Sequence, residues 1–151
     1  MSYHENVLAA IGHTPLVRLN KVVEPGGATV LAKLEFMNPG GSIKDRMAVH
    51  IIEKAEKAGL LRPGGTIVEN TSGNTGVGVA IAAAVKGYKC IFTMPDKMSR
   101  EKQETLKAFG AQVVVTPTNV PADSPERLVN FGDQLARPIA RSQFQRTVGF
   151  S

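Results

Sequence analysis

From residue 66 onward the chain alternates short β-branched or apolar runs with helical stretches that stop at glycine, and this alternation limits the fold more than any other feature. Residues 66–69, 89–94 and 112–116 read as strands. Residues 74–86, rich in Ala, Val, Ile and Gly, and the charged stretch that starts at Ser99 read as helices ended by Gly87 and Gly110. Strands that alternate with helices pair in parallel through right-handed crossovers. Upstream, short strands near 16–19 and 29–35 precede a further helix, whose start reads as Ser42 capping through Asp45, a Ser-x-x-Asp pattern resembling a capping box. Its period places Met47, Ile51, Ile52 and Ala55 on one face, with Glu53, Lys54, Glu56 and Lys57 largely outward, and Gly59 stops it. Turns fall at Gly26-Gly27 and Pro63-Gly64-Gly65. The expected fold class is α/β, a parallel-sheet three-layer sandwich.

Two polar segments interrupt this framework. One is Asn38-Pro39-Gly40-Gly41-Ser42-Ile43-Lys44-Asp45-Arg46, with a lysine at a helix entrance; the other is Glu69-Asn70-Thr71-Ser72-Gly73-Asn74-Thr75-Gly76. Lysine forms Schiff bases with aldehydes once its amine is neutral. A loop of Ser, Thr, Asn and Gly that opens a helix supplies N–H and hydroxyl donors at the positive end of the helix dipole, where a carboxylate or phosphate is stabilised. The pair points to an aldehyde cofactor held at Lys44 and an anionic substrate group held at 71–75. The plainer readings are a solvated surface lysine and a helix cap; the second is compatible with ligand binding, because both use the same donors.

These segments, with Ile11-Gly12-His13-Thr14-Pro15-Leu16-Val17-Arg18-Leu19, Met94-Pro95-Asp96-Lys97-Met98-Ser99, Leu106-Lys107-Ala108-Phe109-Gly110-Ala111 and Thr116-Pro117-Thr118, closely resemble the cysteine synthase/cystathionine β-synthase family of pyridoxal-phosphate (PLP) enzymes of fold type II. The resemblance is nearly continuous from about Val7 to Glu126 and fades beyond, although Gln143-Phe144 echoes a family Gln-aromatic pair. It implies that Lys44 carries the cofactor as a Schiff base and removes the substrate α-proton, with burial near positive charge favouring the neutral amine. It implies that Asn74 bonds the PLP 3′-oxygen. Thr71, Ser72 and Thr75 would receive the substrate α-carboxylate, with Gly73 allowing close backbone approach. The implied chemistry is β-replacement on serine or O-acetylserine by a thiol or sulfide, giving cysteine or cystathionine.

Family members run to roughly twice this size in two α/β domains, so 151 residues are read as one incomplete part, the N-terminal half. No later glycine- and threonine-rich phosphate loop follows Lys44. Residues 1–136 are assigned to the family-like region and 137–151 to an atypical basic tail. Three arginines and no acid in that tail account for more than half of the net charge of +5. Elsewhere lysines alternate with glutamates along helices, which argues for a solvated surface and against nucleic-acid binding. Cys90, the only cysteine, sits in the apolar run Cys90-Ile91-Phe92 and reads as a buried, unreactive thiol.

His13 reads as a turn residue, and no ligand cluster suggests a metal. Asp45 and Arg46 read as charges paired with surface neighbours. The glycines of 73–78 do not follow the dinucleotide-binding order, and there is no phosphate-loop Gly-Lys-Ser/Thr, so neither NAD nor ATP is implied. The longest apolar run, 77–85, is far short of the ~20 residues that cross a bilayer. No secretory signal pattern opens the chain, and a cytoplasmic location is expected. The family reading further implies a homo-oligomer for the full-length form. The alternative function is a non-catalytic fragment that acts only as a subunit-interaction module.

Overall fold

A computed structural model describes residues 3–71, 73–121 and 123–127. Residues 137–151 and the Gln143-Phe144 pair lie outside the described residues, as does Ser72. The first elements are a short antiparallel pair, β1 (Leu16–Arg18) and β2 (Leu31–Lys33), with Val17 opposite Ala32. Then come α1 (Lys44–Lys57), β3 (Thr66–Asn70), α2 (Asn74–Lys86), β4 (Lys89–Pro95), α3 (Arg100–Ala108) and β5 (Gln112–Thr116). Strands β3, β4 and β5 form one parallel sheet in that order, with Ile67 beside Cys90 and Phe92 beside Val113. The expected α/β class and parallel pairing are present, and the helix expected at 74–86 has those bounds.

Helix α2 is the centre of the packing. It lies against β3 and β4 on one side and along α1 on the other, and α3 also touches it. Residues 78–83 are all buried, which is the pattern of a helix covered around most of its circumference. Ile67, Cys90, Phe92 and Met94 present one sheet face to Val79, Ala80 and Ala83, while Ala48, Ile52 and Ala55 bring α1 into the same core. Gly87 ends α2 at φ 76, a left-handed conformation that costs a glycine nothing, and its N–H bonds the Ala83 carbonyl. Burial pushes the Cys90 thiol up to about 12, so it stays protonated and inert, as its apolar setting suggested.

Two local expectations for α1 need correction. The inward stripe is Asp45, Ala48, Ile52 and Ala55, whereas Met47 and Ile51 are only half-buried. The reason is the close approach of α2. A Cβ built on Gly78 would lie 2.9 Å from the Lys44 carbonyl oxygen and 3.1 Å from Ala48 Cβ, a spacing that admits Ala but not a long side chain. The Ser42–Asp45 capping box is also not formed. Ile43 is the N-cap residue, Ser42 Oγ accepts from the Lys44 N–H at 3.1 Å, and the Asp45 carboxylate accepts from the Gly40 N–H instead. The turn at 38–41 folds Gly40 over the helix entrance, so Asp45 reaches that amide first. Among the described residues, no helix is long and apolar enough to cross a membrane.

Candidate functional site

Helices α1 and α2 run in the same direction. Gly78, in the first half of α2, meets Lys44 at the start of α1; at the other end Lys86 Nζ pairs with Glu56 at 2.9 Å, and the Tyr88 hydroxyl donates to Glu56 Oε1 at 2.7 Å. Both N-termini therefore lie at the same end. Helix α2 begins just beyond the C-terminal end of β3, so this is the edge of the parallel sheet where open α/β folds place their ligands. Two helix dipoles present their positive ends there.

The loop at 71–75 is held from behind. Thr71 is buried; its N–H bonds the Thr93 carbonyl at 3.0 Å, and its Oγ1 accepts from the Gly76 N–H at 3.0 Å and the Gly73 N–H at 3.4 Å. A Cβ on Gly76 would come within 2.6 Å of Thr71 Cγ2, so the helix start must be glycine for Thr71 to sit there. One strand-end link supports the loop, the Thr93 hydroxyl donating to Asn70 Oδ1. Thr71 thus caps α2 with its oxygen lone pairs. Gly73 opens outward, since a Cβ there would meet nothing within 4 Å. Asn74 is exposed and Thr75 half-exposed, and neither side chain has a hydrogen-bond partner among the described residues.

Lys44 differs from expectation in one respect: its side chain is exposed rather than buried near positive charge. It is the Lys44 carbonyl, not the amine, that packs on Gly78. Its amine makes no hydrogen bond or ion pair among the described residues, and the Asn74 amide is equally unengaged. An aldehyde cofactor needs a lysine amine and a donor for its ring oxygen that are not already committed, and these two groups fit that need.

Behind Lys44 lies a polar network that sequence reasoning took for surface charge. Arg46 donates from Nε to Glu35 Oε2 at 2.8 Å, and from one terminal nitrogen to Glu35 Oε1 at 2.9 Å, the Gly12 carbonyl at 2.7 Å and Thr14 Oγ1 at 3.0 Å. The Thr14 hydroxyl donates to Glu35 Oε1 at 2.9 Å. Asn38, buried, donates to Glu35 Oε2 and to the Ser42 carbonyl and accepts from the Gly12 N–H at 2.9 Å. Asp45 is likewise no surface charge: it is fully buried, and burial holds its carboxyl above the ordinary range despite the Gly40 N–H. Arg46 was misread because its partners Glu35, Gly12 and Thr14 lie in other segments, and Asp45 because its partner, the Gly40 N–H, is brought to it only by the turn before α1. His13 is exposed and stacks on His4 with ring centroids 6.3 Å apart.

The network has a pH signature. Arg46, with help from Thr14 and Asn38 and against some burial, holds Glu35 at about 2 rather than the ordinary 4.5. A carboxyl with a depressed folded value contributes stability that is full above 4.5 and lost as the pH falls through about 2. A carbon-13 NMR titration of the Glu35 carboxyl is expected to show its midpoint near 2, and Arg46→Gln should return it towards 4.5. A wild-type midpoint already at 4.5 would mean that the pair does not form in solution.

Comparison with known proteins gives a consistent picture. The family model described as "Pyridoxal-phosphate dependent enzyme" matches residues 7–146. The chain is 54% identical over 139 residues to mouse cystathionine beta-synthase, covering 91% of this chain and 25% of that protein. It is 56% identical over 113 residues to a Staphylococcus aureus cysteine synthase, covering 75% of this chain and 36% of that one. Among solved structures, the O-acetylserine dependent cystathionine beta-synthase from Helicobacter pylori superposes with a TM-score of 0.79 at 36% identity, over 91% of this chain and 45% of its own. An O-ureido-L-serine synthase superposes with a TM-score of 0.80 at 36% identity, over 97% and 44%. The chain spans a quarter to about a third of the length of these sequence relatives and under half of each solved structure. With the match extending over nearly all its residues, this chain belongs to the pyridoxal-phosphate dependent enzyme family.

Proposed function

We propose that this chain carries the lysine and the carboxylate-binding loop of a PLP-dependent β-replacement enzyme that acts on serine or O-acetylserine and joins it to a thiol or sulfide, forming cysteine or cystathionine. The observation that carries the reading is the uncommitted Lys44 amine at the entrance of α1, at the same end as the outward-facing 73–75 loop at the entrance of α2. The names of the relatives, cystathionine beta-synthase and cysteine synthase, support the substrate class.

Bound at Lys44, PLP supplies an aldehyde and an electron sink that makes the substrate Cα–H acidic. The chain's own residues do the rest. Lys44 Nζ would hold the cofactor covalently and, when free, would be the base that takes the Cα proton. Asn74 steadies the cofactor ring oxygen. The N–H groups of 73–75, the Thr75 hydroxyl and the positive end of α2 orient the substrate carboxylate, with Ser72 as a further donor. Thr71 serves chiefly to hold that loop in shape.

The test is spectroscopic. PLP added to the chain is expected to develop the visible absorbance of a lysine-bound cofactor, weakly, because the chain covers only part of its relatives' length. Serine or O-acetylserine should change that spectrum, whereas ethanolamine, which lacks the carboxylate, should not. Equal responses to serine and ethanolamine would rule out carboxylate recognition by the loop. A second reading draws on exposed apolar side chains at Leu16, Leu31, Phe36, Met37 and Ile43, which suit a surface that packs against another subunit or domain. Concentration-dependent sedimentation without any cofactor absorbance would favour that interaction module.

A further inference from the structure

We propose that Glu35, Arg46 and Asn38 form a positioning clamp that sets the direction in which Lys44 presents its amine. The inference rests on the reading of Lys44 as the cofactor lysine and adds a role for residues that touch neither cofactor nor substrate.

Arg46 lies two residues after Lys44 on α1, about 200° round the helix, so the two side chains leave from nearly opposite sides. On the Arg46 side, the guanidinium is fixed to four acceptors on two other segments: both Glu35 carboxylate oxygens, the Gly12 carbonyl and Thr14 Oγ1. On another side, the Lys44 carbonyl rests against Gly78 of α2. A helix start held at two such points cannot roll about its axis. Asn38 completes the restraint, because its amide bonds the Ser42 carbonyl at 3.0 Å and so ties the turn that enters α1 to Glu35 and Gly12.

The restraint matters because no hydrogen bond or ion pair fixes the Lys44 side chain among the described residues. Its amine is exposed and unpartnered among the described residues, so the Cα–Cβ direction given by the backbone decides where the amine spends its time. A lone exposed ion pair would do little here. This one is a fork with two parallel N–H···O bonds, buttressed by a buried amide, which is the arrangement that carries geometric specificity. Lysine in place of Arg46 keeps the charge and loses the fork.

The test uses covalent labelling of the full chain with pyridoxal 5′-phosphate and borohydride, read by peptide mass spectrometry as the ratio of label on Lys44 to label on Lys54. Lys54 is exposed on the same helix, so unfolding of α1 would raise both and leave no preference. Wild type is expected to favour Lys44. Arg46→Lys and Glu35→Gln should reduce that ratio about tenfold, well within the effect of a small misplacement of a reacting group, while circular dichroism shows the helices intact. Should Arg46→Lys fail to fold, the isosteric Glu35→Gln carries the comparison alone. An unchanged ratio in a folded variant overturns the clamp and leaves Lys44 as the cofactor lysine. Equal labelling of Lys44 and Lys54 in wild type overturns the Lys44 reading itself, and the clamp with it.

Discussion

Replacing Lys44 by alanine is expected to abolish covalent capture of PLP by the chain while changing its stability by less than about 0.5 kcal/mol. The two halves of this expectation come from different observations. Capture is lost because the Schiff base needs the amine at the entrance of α1; Lys102, in the first turn of α3, also lines a cavity with Gly73 and Asn74, so the peptide map reads its label as well. Stability is kept because the side chain is exposed and unpartnered among the described residues; the part of Lys44 that packs on Gly78 is its backbone carbonyl, which alanine retains. In a protein that completes the reaction, loss of a group that also moves the Cα proton should cost on the order of 10²–10⁴-fold in rate. Borohydride reduction followed by peptide mapping reads the first half, and thermal melting the second. Label that persists undiminished on Lys33 or Lys54 in the variant would place the cofactor elsewhere.

Gly78→Val should have the opposite profile, with a large loss of stability. A side chain at this position meets the Lys44 carbonyl oxygen at 2.9 Å and Ala48 Cβ at 3.1 Å, and the first of these is backbone that cannot swing aside. Helices α1 and α2 would have to separate at the point where both enter the site. Overpacking of this kind costs about 3 kcal/mol, and valine recovers only a few tenths through helix propensity. For a chain of this size that corresponds to a melting temperature lower by roughly 6–12 °C. Gly73→Ala is the control, because a Cβ there meets nothing within 4 Å and its melting temperature should barely move. Equal effects of the two substitutions would show that α1 does not sit against α2 as described.

The sequence made some of this structure readable and concealed the rest for definable reasons. Helix α2 was legible to its ends because its small apolar residues are bounded by a polar loop and by Gly87, both local signals. The strands β3, β4 and β5 were legible because β-branched runs between such helices have few other fates. What Gly78 touches was not legible. A glycine in an apolar helix says that something comes close but not what, and the neighbour is the first turn of α1. Asp45 was misjudged because a Ser-x-x-Asp pattern favours a local cap, and the competing donor, the Gly40 N–H, becomes available only through the preceding turn. Arg46 and Glu35 are 11 residues apart with a turn between them, and the other members of their network come from residues 12–14. Lys44 and the 71–75 loop were found through family resemblance; their local patterns alone also suit a surface lysine and a helix cap.

The central place of α2 also bears on how the protein comes apart. Its two apolar sides are covered by different layers, α1 on one and β3 and β4 on the other. Peeling away either layer would leave the apolar side of α2 that it covers facing water, so neither layer has a stable existence on α2 without the other. The segment from α1 to β4 should therefore open as one cooperative unit, with its amide protons exchanging at a common free energy, while the small β1–β2 pair exchanges sooner and on its own.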